Sequence, residues 1–242
     1  MIVDESSVEL ATRAGSMRVY IHKPVAAGPW PGVVLFSEIF QRTGPIARMA
    51  ALFAGNGYVV AVPEIFHELE PAGTVLAYDQ AGAERGNAHK VGKTCAAYDD
   101  DARVSLDHLA SRTDCSGKLL TMGVCIGGHL AFRCALDRRV RAAACFYATD
   151  LHKGSLGQGG DDSLARSGEI EGELLMIWGK QDPHIPAEGR TKIHARLDET
   201  ARRFTWHEFN AQHAFLRDEG PRYDPELALL SYRMALDLFA RV

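Results

Sequence analysis

The fold of this chain is decided by the stretch Thr121-Met122-Gly123-Val124-Cys125-Ile126-Gly127-Gly128-His129. Residues 118–122 predict a short buried strand, and residues 130–136 carry the apolar spacing of a helix. Cys125 therefore stands at a tight strand-to-helix turn between Gly123 and Gly127. Such a turn strains the backbone at its apex and crowds helix against strand, where glycine has no Cβ to clash. The spacing Gly-x-Cys-x-Gly predicts that Cys125 presents its sulfur as a nucleophile.

Strands and helices alternate along the rest of the chain. Period-two alternation on both sides of residues 14–16 predicts an antiparallel hairpin at the N-terminus. Largely apolar runs predict buried strands at residues 32–36, 58–63, 140–147 and 174–179, and residues 204–209 are predicted to form the last strand. Helical spacing of apolar residues predicts helices near residues 45–53, 99–111, 187–197 and 225–239. Residues 64–94 have weak periodicity, and we expect a loop with short helical pieces there.

This alternation predicts a single α/β domain that spans residues 1–242. Because strands joined through helices make right-handed crossovers, most of the central sheet is expected to be parallel, with helices on both faces and the hairpin as an antiparallel part. The chain has 242 residues, of which 46% are hydrophobic and 24% charged, and this suits one large core. Ligands of such sheets bind beyond the carboxyl ends of the strands.

The composition argues against several classes of function. A net charge of −4 gives no electrostatic reason to bind nucleic acid or an anionic membrane surface. No apolar run is long enough to cross a bilayer, and residues 1–7 lack the residue order of a signal peptide, so we expect a cytoplasmic protein. The five cysteines include no Cys-x-x-Cys pair, which predicts free thiols and neither a disulfide framework nor a zinc site.

Four side chains with catalytic chemistry follow predicted strands: Glu38, Cys125, Asp182 and His213. Because the carboxyl ends of parallel strands meet at one edge of a sheet, we expect these side chains to lie together. A histidine can take the proton of a thiol and later deliver it to a leaving group, while an aspartate fixes the imidazole tautomer and stabilises its cation. The pattern therefore predicts a thiol nucleophile activated by a histidine and an aspartate.

The same turn supplies hydrogen-bond donors. The backbone N–H of Ile126, at the start of the helix, is expected to bind an oxyanion, with the N–H of Ile39 as its partner. Structural alternatives remain open for the candidates: Cys125 as a small buried apolar residue, Asp182 as a turn residue, and Glu38 as a solvated loop carboxylate. Four further histidines lack metal-ligand spacing with one another and are interpreted as structural or exposed, namely His67, His184, His194 and His207, and no metal site is expected.

Four motifs resemble those of the dienelactone hydrolase family, cysteine-dependent members of the α/β-hydrolase fold. They are residues 37–40 (Ser-Glu-Ile-Phe), 123–128 (Gly-Val-Cys-Ile-Gly-Gly), 178–183 (Trp-Gly-Lys-Gln-Asp-Pro) and 212–215 (Gln-His-Ala-Phe). The resemblance implies a hydrolase that cleaves a small ester or lactone through a Cys125, His213 and Asp182 triad and a thioester, without a cofactor. It also implies that Glu38 contacts the resting thiol and helps to deprotonate it when substrate binds.

The resemblance extends to substrate binding. In the enzymes that open dienelactones, arginines hold the substrate carboxylate, and one of them lies four residues beyond the catalytic histidine, where this chain has Arg217. Arg85 is the best match for the second arginine, and His89 stands about where a tyrosine is expected. These three residues are therefore expected to bind an anionic substrate. The alternative for Arg217 is a surface ion pair with Asp218 or Glu219.

Two other functions remain open at this point. The same triad could serve a broad-specificity esterase for small activated esters, with no carboxylate requirement. Cys125 could instead be the sensor thiol of a non-catalytic, redox-responsive protein, although such a sensor needs neither the aspartate nor the histidine. The expected partner is a small-molecule ester or lactone, and the expected assembly is a monomer or a small homo-oligomer.

Overall fold

The strands join into one sheet in the computed structural model of the protein, which describes residues 1–200 and 202–242. They are β1 (Val3–Thr12), β2 (Gly15–Pro24), β3 (Trp30–Phe36), β4 (Val59–Pro63), β5 (Cys115–Val124), β6 (Val140–Phe146), β7 (Glu173–Gly179) and β8 (Phe204–Phe209). Their spatial order is β1-β2-β4-β3-β5-β6-β7-β8. The pairs β1–β2 and β2–β4 are antiparallel and all the others are parallel. This confirms the predicted mostly parallel sheet with an antiparallel N-terminal hairpin.

Helices connect the parallel strands. They are α1 (Gly44–Gly55), α2 (Gln80–Gly92), α3 (Cys95–Ser111), α4 (Ile126–Cys134), α5 (Ala187–Glu199) and α6 (Pro225–Arg241). Within the described residues, no helix combines the length and the apolar character that a membrane crossing requires. The core lies on the central strands, where Val33, Val34 and Leu35 of β3 are completely buried, as expected of a parallel strand covered on both faces.

The turn between β5 and α4 is built on glycines, as its sequence predicts. Cys125 has φ 61° and ψ −125°, a conformation that side-chain-bearing residues rarely adopt. A Cβ on Gly123 would overlap the backbone of Gly127, and a Cβ on Gly127 would overlap the carbonyl of Phe36. The Cys125 N–H donates to the Phe146 carbonyl at 3.1 Å, which anchors the apex of the turn to β6. Glycine therefore allows α4 to start directly against the ends of β3 and β5.

Residues 64–94 are expected to form a loop with short helical pieces, and the helix in their second half is longer than that expectation. Residues 80–92 form α2, whose first turn is capped by Asp79, which accepts from the Gly82 N–H at 2.7 Å. Only Gly82 and Gly86 of this helix are buried, so it has no apolar stripe that a periodicity search could detect. A Cβ on Gly86 would lie 2.5 Å from the Ile39 carbonyl oxygen, and glycine thus lets α2 lie directly over the end of β3.

We expect the substitution Gly127→Ala to lower the free energy of unfolding by about 2–4 kcal/mol, because the new methyl group overlaps the Phe36 carbonyl and the backbone has no room to move. Denaturant titration measures this change. Gly92→Ala at the end of α2 is the matched control, since a Cβ there meets nothing within 4 Å, and its effect is expected to stay within about 1 kcal/mol. Equal effects of the two substitutions would contradict the account of the turn.

Candidate active site

Cys125 lies at the wall of a cavity of about 300 Å³ at the carboxyl ends of the central strands. Its relative exposure is 9%, so the residue is largely enclosed while its surface contributes to the cavity. Glu38 and His213, which follow β3 and β8 in the chain, line the same cavity. The structure thus brings together side chains that are far apart in sequence, as the strand-end argument expects.

Asp182 and His213 form a buried hydrogen bond. The Nδ1 of His213 lies 2.7 Å from Oδ2 of Asp182, and the two residues are 6% and 3% exposed. The other oxygen of Asp182 accepts from the backbone N–H of His184 at 2.8 Å. Because both carboxylate oxygens are held, the aspartate fixes the orientation of the His213 ring and leaves its second nitrogen for other partners.

The neighbours of His213 change its protonation. Burial alone would lower its pKa, but the charge and hydrogen bonding of the Cys125 sulfur, together with Asp182, raise the pKa to about 10. Two aromatic rings pack edge-on against the imidazole: Tyr147 at 5.1 Å and His184 at 4.6 Å between ring centroids. The raised pKa favours a protonated His213, whose positive charge can stabilise negative charge on the Cys125 sulfur.

Two backbone N–H groups stand near Cys125 without an acceptor. Ile126 is the first residue of α4, where an N–H has no partner within the helix. In the part of the chain that the structure describes, neither the Ile126 N–H nor the Ile39 N–H donates to a protein acceptor, and Ile39 lines the cavity. Both groups are available to an anionic oxygen, and the partial positive charge of a helix start favours one.

Glu38 is held on the side of the cavity formed by aromatic and cationic residues. Its Oε1 accepts from the Tyr78 hydroxyl at 3.0 Å, and its Oε2 lies 3.5 Å from Nη1 of Arg217. Among the described residues no hydrogen bond joins Glu38 to the Cys125 thiol, and the expected contact between these two residues stays a prediction. Burial raises the pKa of Glu38, while Arg217, Tyr78 and His213 act to lower it.

Arg217 points inward, as its predicted binding role requires. Its guanidinium carbon lies 4.2 Å from the centre of the Tyr78 ring, and its side chain is only 10% exposed. The alternative of a surface ion pair with Asp218 or Glu219 does not occur, because Arg48 occupies both carboxylates at 2.6 and 2.8 Å. The Arg217 guanidinium lines the cavity and pairs with Glu38.

Arg85 and His89 do not line the cavity, which corrects their expected role in substrate binding. Both face the buried carboxylate of Glu70: Nη2 of Arg85 donates at 2.6 Å to one oxygen, and Nε2 of His89 hydrogen-bonds the other. The Glu70 side chain is 0% exposed. A buried carboxylate needs charged partners, and this requirement turns Arg85 and His89 away from the site.

Other residues of the cavity wall escaped the sequence analysis. They include Tyr78, Asn87, Lys90, Asp150, Lys153, His184 and Arg222. Tyr78 and the two α2 residues fall in the stretch without periodicity, and no sequence signal marks them. His184 is exposed, as expected, and also lines the cavity. Its position two residues after Asp182 is a signal that could have placed it beside the His213 ring.

Two groups of potential metal ligands occur among the described residues: Asp182, His184 and His213 in the cavity, and His67, Glu68 and Asp101 outside it. In the first group both Asp182 oxygens already accept hydrogen bonds from the other two residues. In the second, the Lys93 ammonium lies 2.7 Å from Glu68 and 2.5 Å from Asp101. A protein donor or cation thus already satisfies the carboxylates of both groups.

Comparisons with known proteins agree with the motifs. The profile of the dienelactone hydrolase family matches residues 17–242. A Saccharomyces cerevisiae protein named "Putative carboxymethylenebutenolidase" is 40% identical over 230 residues, which cover 90% of this chain and 84% of that protein. A Pseudomonas putida protein named "Carboxymethylenebutenolidase" is 27% identical over 221 residues, which cover 89% and 87% of the two chains.

A crystal structure supports the fold independently. The protein from Klebsiella pneumoniae described as a "Putative Dienelactone Hydrolase" superposes with a TM-score of 0.80 at 20% identity, over 100% of both chains. At this identity the similarity concerns the fold alone. It agrees with the α/β architecture that the sequence predicts.

The protonation of His213 is directly testable. We expect NMR titration to show a protonated imidazole at neutral pH in the wild type, because its pKa is raised to about 10. In Cys125→Ala the pKa is expected to fall, since the sulfur no longer offsets the effect of burial. A His213 that titrates identically in both proteins would contradict the described coupling.

This pKa also sets a pH dependence of stability. The pKa of His213 is higher in the folded protein than its ordinary value of about 6.5. Protonation of His213 therefore makes its full contribution to the stability of the folded protein below about pH 6.5. The contribution is expected to be lost as the pH rises through about 10. Denaturant unfolding of the wild type and His213→Asn across this range measures the difference, which is expected to shrink as the pH rises. A difference that does not change with pH would contradict the linkage.

Proposed function

The chain belongs to the dienelactone hydrolase family, whose members are hydrolases of esters and lactones, and we propose that it acts through a covalent thioester on Cys125. The observation that carries the proposal is the convergence of Cys125 at the strained turn, the buried imidazole of His213 and Ile39 at one cavity, with the N–H groups of Ile39 and of Ile126, which follows Cys125 in the chain, lacking protein acceptors. Each of these has a defined task in acyl transfer.

In the first step the Cys125 sulfur attacks the substrate carbonyl as the thiolate, its proton residing on His213. The developing oxyanion accepts hydrogen bonds from the N–H groups of Ile126 and Ile39. When the tetrahedral intermediate collapses, the C–O bond to the leaving alcohol breaks, and His213 gives its proton to the alkoxide. The acyl group remains on Cys125 as a thioester, and in a lactone the released hydroxyl stays attached to the acyl chain.

In the second step water hydrolyses the thioester. His213, now neutral, takes one proton from the water while the hydroxide attacks the same carbonyl. Collapse breaks the C–S bond and releases the carboxylic acid, and the sulfur leaves as the thiolate beside the reprotonated imidazole. Asp182 keeps the His213 ring in one tautomer throughout and stabilises its cation.

Glu38 connects substrate charge to this chemistry in the proposal. Arg217 lowers the pKa of Glu38, and burial raises it. A substrate carboxylate that engages Arg217 weakens the Glu38–Arg217 pair, and the balance then shifts towards a Glu38 that accepts a proton. Glu38 thereby becomes an additional acceptor for the Cys125 proton in that fraction of the enzyme whose thiol is still protonated when an anionic ester or lactone binds. Tyr78 positions Glu38 through its hydroxyl.

A broad esterase without a carboxylate requirement is the second candidate. One observation favours it: Arg217 already has Glu38 as an anionic partner and the Tyr78 ring beneath it. Such an enzyme would use the same thioester route and differ only in its preference between neutral and anionic substrates. Substrate comparison therefore separates the two candidates.

We expect Cys125→Ala to lower kcat for an activated aryl ester by about a thousandfold or more, because the nucleophile is lost. Pre-treatment of the wild type with one equivalent of iodoacetamide is expected to remove activity in proportion to alkylation of Cys125. Cys134→Ala, at a buried cysteine outside the cavity, is the control for loss of a thiol. Equal turnover by wild type and Cys125→Ala would remove Cys125 as the nucleophile and leave the sensor-thiol interpretation.

We expect Arg217→Gln to lower the preference for a dienelactone over a neutral aryl ester about tenfold or more, measured as the ratio of the two kcat/KM values, because a charge-assisted contact to the substrate carboxylate is lost. Arg48→Gln removes an equal charge from a guanidinium that pairs with Asp218 and Glu219 and lies outside the cavity lining. The same ratio in wild type and Arg217→Gln would favour the broad esterase.

A further inference from the structure

Helix α2 presents two chemically different sides. Residues 83, 87 and 90 recur at helical spacing and line the cavity, whereas residues 85 and 89 lie on the opposite side. Arg85 and His89 are both bound to the buried Glu70. The ion pairs with Glu70 therefore fix the rotation of the helix and turn the ammonium group of Lys90 towards the cavity.

The Lys90 side chain is held in place at the cavity wall. Its Nζ lies 2.8 Å from Oδ2 of Asp150, and both side chains are 15% exposed. Asp150 is itself fixed, because it adopts φ 65° and its carbonyl accepts from the N–H groups of Lys153 and Gly154, both at 3.0 Å. The Lys90 ammonium thus has a defined position, and little side-chain entropy remains to be lost when a ligand binds.

The Lys90 ammonium keeps capacity for a second anion. A lysine has three N–H donors, and Asp150 accepts one of them. The cavity wall carries four cationic side chains, Lys90, Lys153, Arg217 and Arg222, against the carboxyl groups of Glu38, Asp79 and Asp150. Asp79 is engaged at the start of α2. The positive charge of the wall therefore exceeds its negative charge, and this favours an anionic ligand.

We propose that Lys90 is a specificity-determining residue that binds the carboxylate of an anionic ester or lactone, in the place that the sequence assigns to Arg85. Asp150 acts as its positioning residue. The inference rests on the proposed function, since it names a substrate contact of the same hydrolytic site. It depends on the rotation of α2, which the sequence does not reveal.

The test compares Lys90→Gln with Arg85→Gln. Each substitution removes one positive charge from α2, and glutamine keeps a donor for the neighbouring carboxylate. The kcat and KM values are measured for a dienelactone and for a neutral aryl ester with wild type, both variants and Lys90→Arg. We expect Lys90→Gln to lower the dienelactone-to-ester ratio of kcat/KM about tenfold, mainly through the KM of the dienelactone. Arg85→Gln is expected to leave that ratio within about twofold, and Lys90→Arg to restore it in large part.

Each other outcome has a defined meaning. A Lys90→Gln variant that lowers both kcat/KM values by the same factor would show a structural role for the Lys90–Asp150 pair and overturn the proposal. A fall in the ratio for Arg85→Gln but not for Lys90→Gln would also overturn it. If the wild type hydrolyses only the neutral ester, this inference fails while the thioester mechanism stands. If Cys125→Ala retains full turnover of both substrates, the mechanism itself fails. Thermal melting of each variant identifies any loss of fold.

Discussion

The left-handed backbone of Cys125 is the constraint on which the site depends. A non-glycine residue in such a conformation costs about 1–3 kcal/mol, and the surrounding structure must offset it. Here the offset comes from the close packing of α4 against β3, β5 and β6, which Gly123 and Gly127 permit. The turn places Cys125 at the cavity wall, and the first N–H of α4 belongs to the next residue, Ile126. The proposed nucleophile and one proposed oxyanion donor thus belong to the same turn.

The protonation of His213 and Glu38 depends on two opposing influences: burial, and the charged or hydrogen-bonding residues next to each side chain. Burial acts to lower the pKa of His213 and to raise that of Glu38, so in both cases it favours the neutral form. The Cys125 sulfur and Asp182 outweigh burial at His213, so the pKa of His213 is raised. Arg217 lowers the pKa of Glu38 but does not outweigh burial there. The cavity therefore holds a charged imidazole beside a carboxyl group that is poised to gain a proton. A substrate anion that pairs with Arg217 weakens the Glu38–Arg217 pair and thereby raises the pKa of Glu38.

The sequence predicted the features that follow from local residue patterns and from the way parallel strands end at one edge of a sheet. Apolar runs and the glycine spacing predict the strands and the turn at Cys125, and the strand ends place Glu38 and His213 at one cavity. The position of Arg217 followed from a resemblance, and the structure turns it inward. Helix α2 could not be found in the same way, because glycine contacts and ion pairs hold it instead of an apolar stripe. The partner of Arg85 is a buried glutamate 15 residues earlier in the chain, and only the folded arrangement shows that this pair turns Arg85 away from the cavity.

The central claim is that turnover passes through a thioester on Cys125. The most direct measurement is acid quenching of the enzyme during hydrolysis of an activated ester, followed by peptide mass spectrometry. The account predicts the mass of the acyl group on the peptide that contains Cys125, and its release when the quenched peptide is treated with hydroxylamine. An acyl group on another residue, or undiminished turnover by enzyme whose Cys125 is fully alkylated, would contradict it.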